Sequence, residues 1–90
     1  MKTVLNECDR RILKYLYARG GRTEAELRAF CGLNAEELQK STERLLGWFV
    51  LERSVAPSPI NPAYGHYLWL TSLGEAYAED LQAGLMKEGA

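Results

Sequence analysis

The sequence predicts a small, mainly α domain that carries one β-hairpin. Three observations point there. Up to Phe49, apolar residues recur at helical spacing in three capped stripes. From Val50 the pattern becomes alternating or continuously apolar and is interrupted by Pro57, Pro59 and Pro62, which reads as two strands and a loop. At Thr71 the helical spacing returns. Ninety residues fit a single domain over 1–90, with residues 1–4 and 87–90 expected to fray.

Asn6 is a good N-cap, and Glu7 and Asp9 follow in the first turn, where the helix dipole favours acids. Leu5, Cys8, Ile12, Leu13 and Leu16 form the apolar stripe of a helix over Glu7–Arg19, stopped by Gly20-Gly21. Thr23-Glu24-Ala25-Glu26 fits a capping box and opens a second helix. Leu27, Phe30 and Cys31 are its apolar side, Gly32 ends it, and Leu33 anchors the turn. Asn34 caps a third helix with Glu36 and Glu37 in its first turn; Leu38, Thr42, Leu45, Leu46 and Phe49 mark its inner stripe. Val50–Val55 reads as a strand. Ala56–Gly65 is a loop whose prolines exclude helix and regular pairing, and His66–Leu70 is the returning strand. Thr71 or Ser72 caps a last helix from Leu73 to about Met86, with Leu73, Tyr77, Leu81 and Leu85 four apart.

Composition excludes several classes of function. No apolar run is long enough to span a membrane, and the N-terminus turns polar too soon for a signal peptide, so a cytoplasmic protein is expected. Cys8 and Cys31 have neither CxxC spacing nor a histidine nearby, so they read as small buried hydrophobes and no metal or cofactor site is expected. The single histidine, His66, opens a strand with no nucleophile or acid arranged around it. Glu36-Glu37 and Glu79-Asp80 diverge on their helices, and Gly20-Gly21 is a helix stop, not a phosphate loop. An enzyme is therefore not expected. The net charge of -1 divides unevenly: ten basic and eight acidic residues over 1–53 give +2, and one basic and four acidic over 54–90 give -3. An anionic partner must meet the helical half, where Arg10, Arg11, Lys14, Arg19, Arg22 and Arg28 lie.

The order helix, helix, turn, helix, hairpin, helix is that of a winged helix-turn-helix: a three-helix core, a two-stranded wing and a C-terminal helix. Leu27-Arg28-Ala29-Phe30-Cys31-Gly32-Leu33-Asn34 resembles the first helix and turn of the bacterial helix-turn-helix. Leu45-Leu46-Gly47-Trp48-Phe49-Val50-Leu51-Glu52-Arg53 is similar to the passage from recognition helix to wing, although Phe49 stands where glycine is usual. Tyr67-Leu68-Trp69-Leu70-Thr71-Ser72-Leu73-Gly74 resembles the Leu-Thr-x-x-Gly signature that follows the wing in MarR- and PadR-type transcriptional regulators. The resemblance covers about Asn6 to Leu81, and the long added dimerisation helices of the MarR family are not expected within it.

The resemblance implies a small DNA-binding transcriptional regulator acting as a homodimer on duplex DNA. Its third helix would enter the major groove with Ala35, Glu36, Gln39, Lys40, Glu43 and Arg44 facing the bases. Of these, Gln39, Lys40, Glu43 and Arg44 are the base-reading candidates. Arg22, Thr23, Arg28, Asn34 and Arg53 are the phosphate-contact candidates, Thr23 and Asn34 through helix N-termini. The dimer contact would come from the first helix or from Leu81 and Leu85. The residues also argue against this reading: Glu36, Glu37 and Glu43 oppose a polyanion, and the wing tip has no Lys or Arg. A second reading therefore stands beside it. It is a winged-helix protein-interaction module without strong DNA binding, in which a half-exposed cluster of Ile60, Tyr64, Tyr67 and Trp69 meets a protein partner.

Overall fold

A computed structural model describes residues 5–84. Four helices, α1 (Glu7–Arg19), α2 (Glu24–Cys31), α3 (Ala35–Gly47) and α4 (Ser72–Gln82), pack with a three-stranded antiparallel sheet. Its strands are β1 (Arg22–Thr23), β2 (Leu51–Pro57) and β3 (His66–Leu70), in the order β1-β3-β2. The expected hairpin is β2–β3. Strand β1 is an addition, with Arg22 opposite Leu68 and Thr23 opposite Tyr67. Two residues carry no alternation to read, so sequence pattern misses this strand.

The helices begin as their caps require. Asn6 with Asp9, Thr23 with Glu26 and Asn34 with Glu37 form reciprocal capping boxes at α1, α2 and α3. Gly32 closes α2 at φ +67, and the N–H of buried Leu33 donates to the Arg28 carbonyl at 3.0 Å. This makes the α2–α3 connection short and rigid. The core gathers Ile12, Leu13 and Leu16 of α1, Leu27 and Cys31 of α2, Leu38 and Leu45 of α3, Val50 and Leu51, Leu68, and Ala78 and Leu81 of α4. Cys8 is only half-buried beside them. Neither cysteine is in a disulfide, and burial pushes both thiols up, so neither is activated.

Three apolar residues placed inward by sequence face solvent. Phe30 is 65% exposed, Phe49 77% and Leu73 45%. Leu27 and Cys31, four apart, alone face inward from α2, and Phe30 falls on the flank of that stripe. Helix α4 ends at Gln82, with Ala83 as its C-cap and Gly84 at φ 75, short of the expected Met86; Leu85 and Met86, like residues 1–4 and 87–90, lie outside the described residues.

The strand boundaries also move. Val50 belongs to the turn that closes α3, so β2 starts at Leu51. It runs on through a bulge between Arg53 and Pro57, where Pro57 pairs with His66. The Ser54 hydroxyl closes that bulge by donating to the Ala56 carbonyl (2.7 Å) and accepting from the Tyr67 N–H (3.0 Å). Pro57 is tolerated because β2 is an edge strand. The loop holds one short 3-10 turn, Pro62–Tyr64, with proline at its first position. The imidazole Nδ1 of His66 lies 2.8 Å from the Ser54 carbonyl oxygen, and the backbone N–H of His66 donates to Glu24 Oε1. Its role here is structural.

One junction sets the wing on the helices. At the end of α3 the N–H of Phe49 donates to Leu46 and that of Val50 to Leu45, a Schellman closure with Phe49 in the left-handed region at φ 62. Val50 and Leu45, at the two ends of that closure, are both buried in the core. The Thr71 N–H then donates to the Val50 carbonyl at 3.1 Å, and its hydroxyl donates to the Phe49 carbonyl at 2.6 Å. The same hydroxyl accepts from the Gly74 N–H as the N-cap of α4. Gly74 has no side chain because the Val50 carbonyl occupies the space a Cβ would take. The Leu-Thr-x-x-Gly signature thus has a physical reading: a strand end, a double-duty cap and a backbone-on-backbone contact.

Two expectations follow. Gly74→Ala drives a methyl group into that carbonyl and should cost about 1–3 kcal/mol in urea unfolding. Phe49→Gly relieves a left-handed conformation worth roughly 1–2 kcal/mol, against about 0.5–1 kcal/mol of lost chain restriction. It should stabilise the fold by roughly 0.5–1 kcal/mol in the same measurement.

Candidate nucleic-acid interface

Helix α3 buries Leu38, Ser41, Thr42 and Leu45 and leaves Glu36, Gln39, Lys40 and Glu43 in solvent. Beside this face, α2, α3 and the wing enclose a recess of about 330 Å³. Arg28, Gln39, Glu43, Arg53 and Tyr64 line it, with Glu24 on the α2 side and nearly buried Thr42 between Gln39 and Glu43. The Thr42 hydroxyl has no hydrogen-bond partner among the described residues. The structure thus brings together five of the sequence candidates: Gln39 and Glu43 from α3, Arg28 from α2, Arg53 from β2 and, from the protein-interface set, Tyr64. Lys40 stands on the exposed face of α3, 3.8 Å from Glu36, a pair too solvated to hold it in place.

Arg44 is a correction. The expectation that it faces the bases fails because its guanidinium turns back to α1. Nε donates to Asp9 Oδ2 at 3.1 Å and Nη2 to Oδ1 at 2.9 Å, a bidentate fork on a carboxylate that is 0% exposed. The Asp9 hydrogen bonds raise the Arg44 pKa, holding the guanidinium charged more firmly than usual. Arg44 therefore ties α3 to α1, and its guanidinium is turned away from the outward face of α3.

The helix N-termini are likewise occupied. Glu26 accepts from the backbone N–H and the hydroxyl of Thr23, both at 3.0 Å, and Glu37 accepts from the Asn34 N–H at 3.0 Å. The Thr23 backbone hydrogen bond, helped by its hydroxyl and by Arg22, holds the Glu26 carboxyl below its usual range, so it stays charged there. The N–H groups of Thr23 and Asn34 are thus already bonded to the protein's own carboxylates. Arg22 itself leans toward Glu26, 4.0 Å away, and donates to the Gly21 carbonyl.

The aromatic candidates divide. Ile60, Tyr64 and Tyr67 line a second recess, of about 440 Å³, which they share with Phe30 of α2. Trp69 is 37% exposed but does not line it, and its Cβ borders the space beside Gly21. Phe30 is the residue that sequence reasoning missed on this surface. The spacing of Leu27 and Cys31 was the available signal. No group of three or more His, Cys, Asp or Glu among the described residues could hold a metal ion. No helix among them is long and apolar enough to cross a membrane.

This architecture is a winged helix with the MarR-like arrangement of helices and wing. A MarR-family regulator from Neisseria meningitidis superposes with a TM-score of 0.75 at 23% identity, covering 90% of this chain and 55% of that one. A MarR-family transcriptional regulator from Silicibacter pomeroyi gives 0.73 at 18%, covering 90% and 54%. The adhesin competence repressor of Streptococcus pyogenes gives 0.73 at 17%, covering 92% and 58%. The chain thus spans a little over half the length of these neighbours. No protein-family model and no curated protein matches the sequence.

Removing one partner of the Asp9–Arg44 pair should be costly. Arg44→Met strands a buried carboxylate and should lower stability by about 3–5 kcal/mol, whereas the double change Asp9→Leu with Arg44→Met should recover most of it. Urea unfolding of the single and double variants checks this. Additive losses would show that the two side chains are not coupled.

Proposed function

We propose that the chain is one winged-helix domain, 1–90, of a cytoplasmic transcriptional regulator that binds duplex DNA as a homodimer, and that its work is binding and not catalysis. The observation that carries this is the polar, outward face of α3 flanked by the recess that holds Arg28 and Arg53. The likeness in fold to structures described as MarR-family regulators supports it. On this reading α3 enters the major groove. Gln39 bonds an adenine edge, Lys40 a guanine or phosphate, and Glu43 accepts from a cytosine amine. Arg28 and Arg53 meet the backbone on either side, with Arg22 at the margin. Two-fold symmetry would place two α3 helices roughly 34 Å apart, one turn of duplex.

The electrostatics set the scale. With Arg44 withdrawn, the face offers Arg28, Lys40 and Arg53 against Glu24, Glu36 and Glu43. Three phosphate contacts per protomer give a log–log salt slope of about -3, and about -5 for a dimer. Affinity for duplex DNA should therefore fall roughly 40-fold per protomer between about 50 and 200 mM salt. Lys40→Ala should reduce the slope by about one per protomer. A gel-shift or anisotropy titration reads both. No binding at about 50 mM salt overturns the DNA reading.

A further inference from the structure

We propose that the outer face of α2, continued across the 62–64 turn, docks a peptide segment of a protein partner that presents apolar anchors with acidic residues at one end. Phe30 is the centre of this face. Its ring stacks on Tyr15 at 5.7 Å between centroids and 11° between planes, which covers one side and leaves the residue 65% exposed. It separates two recesses of similar size. On one side a recess of about 440 Å³ is walled by Ala29, Ile60, Tyr64 and Tyr67. On the other a recess of about 430 Å³ is walled by Arg11, Lys14, Tyr15 and Cys31. Ile60 is 79% exposed at the far edge.

A large aromatic ridge between an apolar recess and a cationic one is the composition of an interface hot spot. Each recess has the size of a site that takes one or two side chains of a bound segment. The site is polarised, and the polarity selects the occupant. The Phe30–Ile60 end has Glu26 as its one lining charge, and that carboxylate is already bonded to Thr23 and beside Arg22. The other end is lined by the two cations Arg11 and Lys14. Arg11 is held over the recess by its bond to the Cys31 carbonyl at 3.3 Å, with Glu7 3.5 Å from its Nε. A segment with aromatic or aliphatic side chains against Phe30 and Ile60, and Asp or Glu toward Arg11 and Lys14, matches both ends. None of Gln39, Lys40 and Glu43 lines either recess; Tyr64 alone of the docking residues also lines the recess beside α3, so the two surfaces adjoin at that ring.

The test is selection of a random 12-residue display library on the immobilised full chain. The enriched peptides are then titrated against wild type, Phe30→Ala, Ile60→Ala and Lys14→Glu, each checked for fold by circular dichroism. The expected result is enrichment of sequences that pair an aromatic or leucine anchor with Asp or Glu. Affinity should fall at least tenfold in Phe30→Ala and in Ile60→Ala, and severalfold in Lys14→Glu and with added salt. Ile60 is exposed enough that its truncation reads out even if Phe30→Ala does not fold. No enrichment, enrichment of basic sequences, or binding indifferent to folded Phe30→Ala and Ile60→Ala overturns the proposal. So does a single-stranded oligonucleotide that binds in a Phe30-dependent way and displaces the peptides.

Discussion

A buried carboxylate at the start of the first helix fixes where the third one lies. Asp9 does three things at once. It accepts the Asn6 N–H as half of a capping box, it puts negative charge at the positive end of α1, and it receives the Arg44 fork from α3. All of this happens at 0% exposure, where a charge left without partners is costly. The geometry is therefore narrow: α1 and α3 can cross only where carboxylate and guanidinium meet edge to edge. Once α3 is held on that side, Leu38 and Leu45 enter the core and Gln39, Lys40 and Glu43 have nowhere to go but outward. The outward face of α3 is in this sense a consequence of an ion pair on its inner side.

The wing depends on α3 in turn. The Schellman closure at Phe49 ends the helix and turns the chain into β2, and Thr71 returns to the Phe49 and Val50 carbonyls from the end of β3. Both strands of the wing and the start of α4 are thus tied to one turn of backbone. That turn holds a phenylalanine where the left-handed conformation favours glycine. The ring is exposed, so it returns no burial for the strain.

Caps and stops were the most legible part of the sequence. Asn6, Thr23 with Glu26, Asn34, Thr71 and Gly32 each announce an end through local chemistry, and each end lies where that chemistry puts it. Orientation was harder to read. Phe30 and Phe49 are apolar and near the helical stripe, yet one sits on its flank and the other beyond the last turn, and only packing shows this. Arg44 was illegible for a different reason. Its spacing from Gln39 and Lys40 fits an outward face, and the buried acid that captures it lies 35 residues earlier in the chain. Strand β1 needed β3 to exist before two residues could count as a strand.

The same capture changes what a charge count means here. Ten basic residues in the helical half suggest a surface ready for a polyanion. The structure assigns many of them elsewhere: Arg44 to Asp9, Arg10 and Arg11 to Glu7, Arg22 to Glu26, Lys40 to Glu36. These pairs differ in kind. Arg44 is fixed by a buried partner and cannot leave without unfolding the contact, whereas the Lys40 pair is solvated and can be exchanged for a phosphate at little cost. Arg28 and Arg53 instead meet at one recess, beside the outward face of α3. What a duplex would meet is therefore a small, nearly balanced set of charges. Shape and base-edge hydrogen bonds from α3 must then supply a larger share of any affinity than they do on a strongly basic wing.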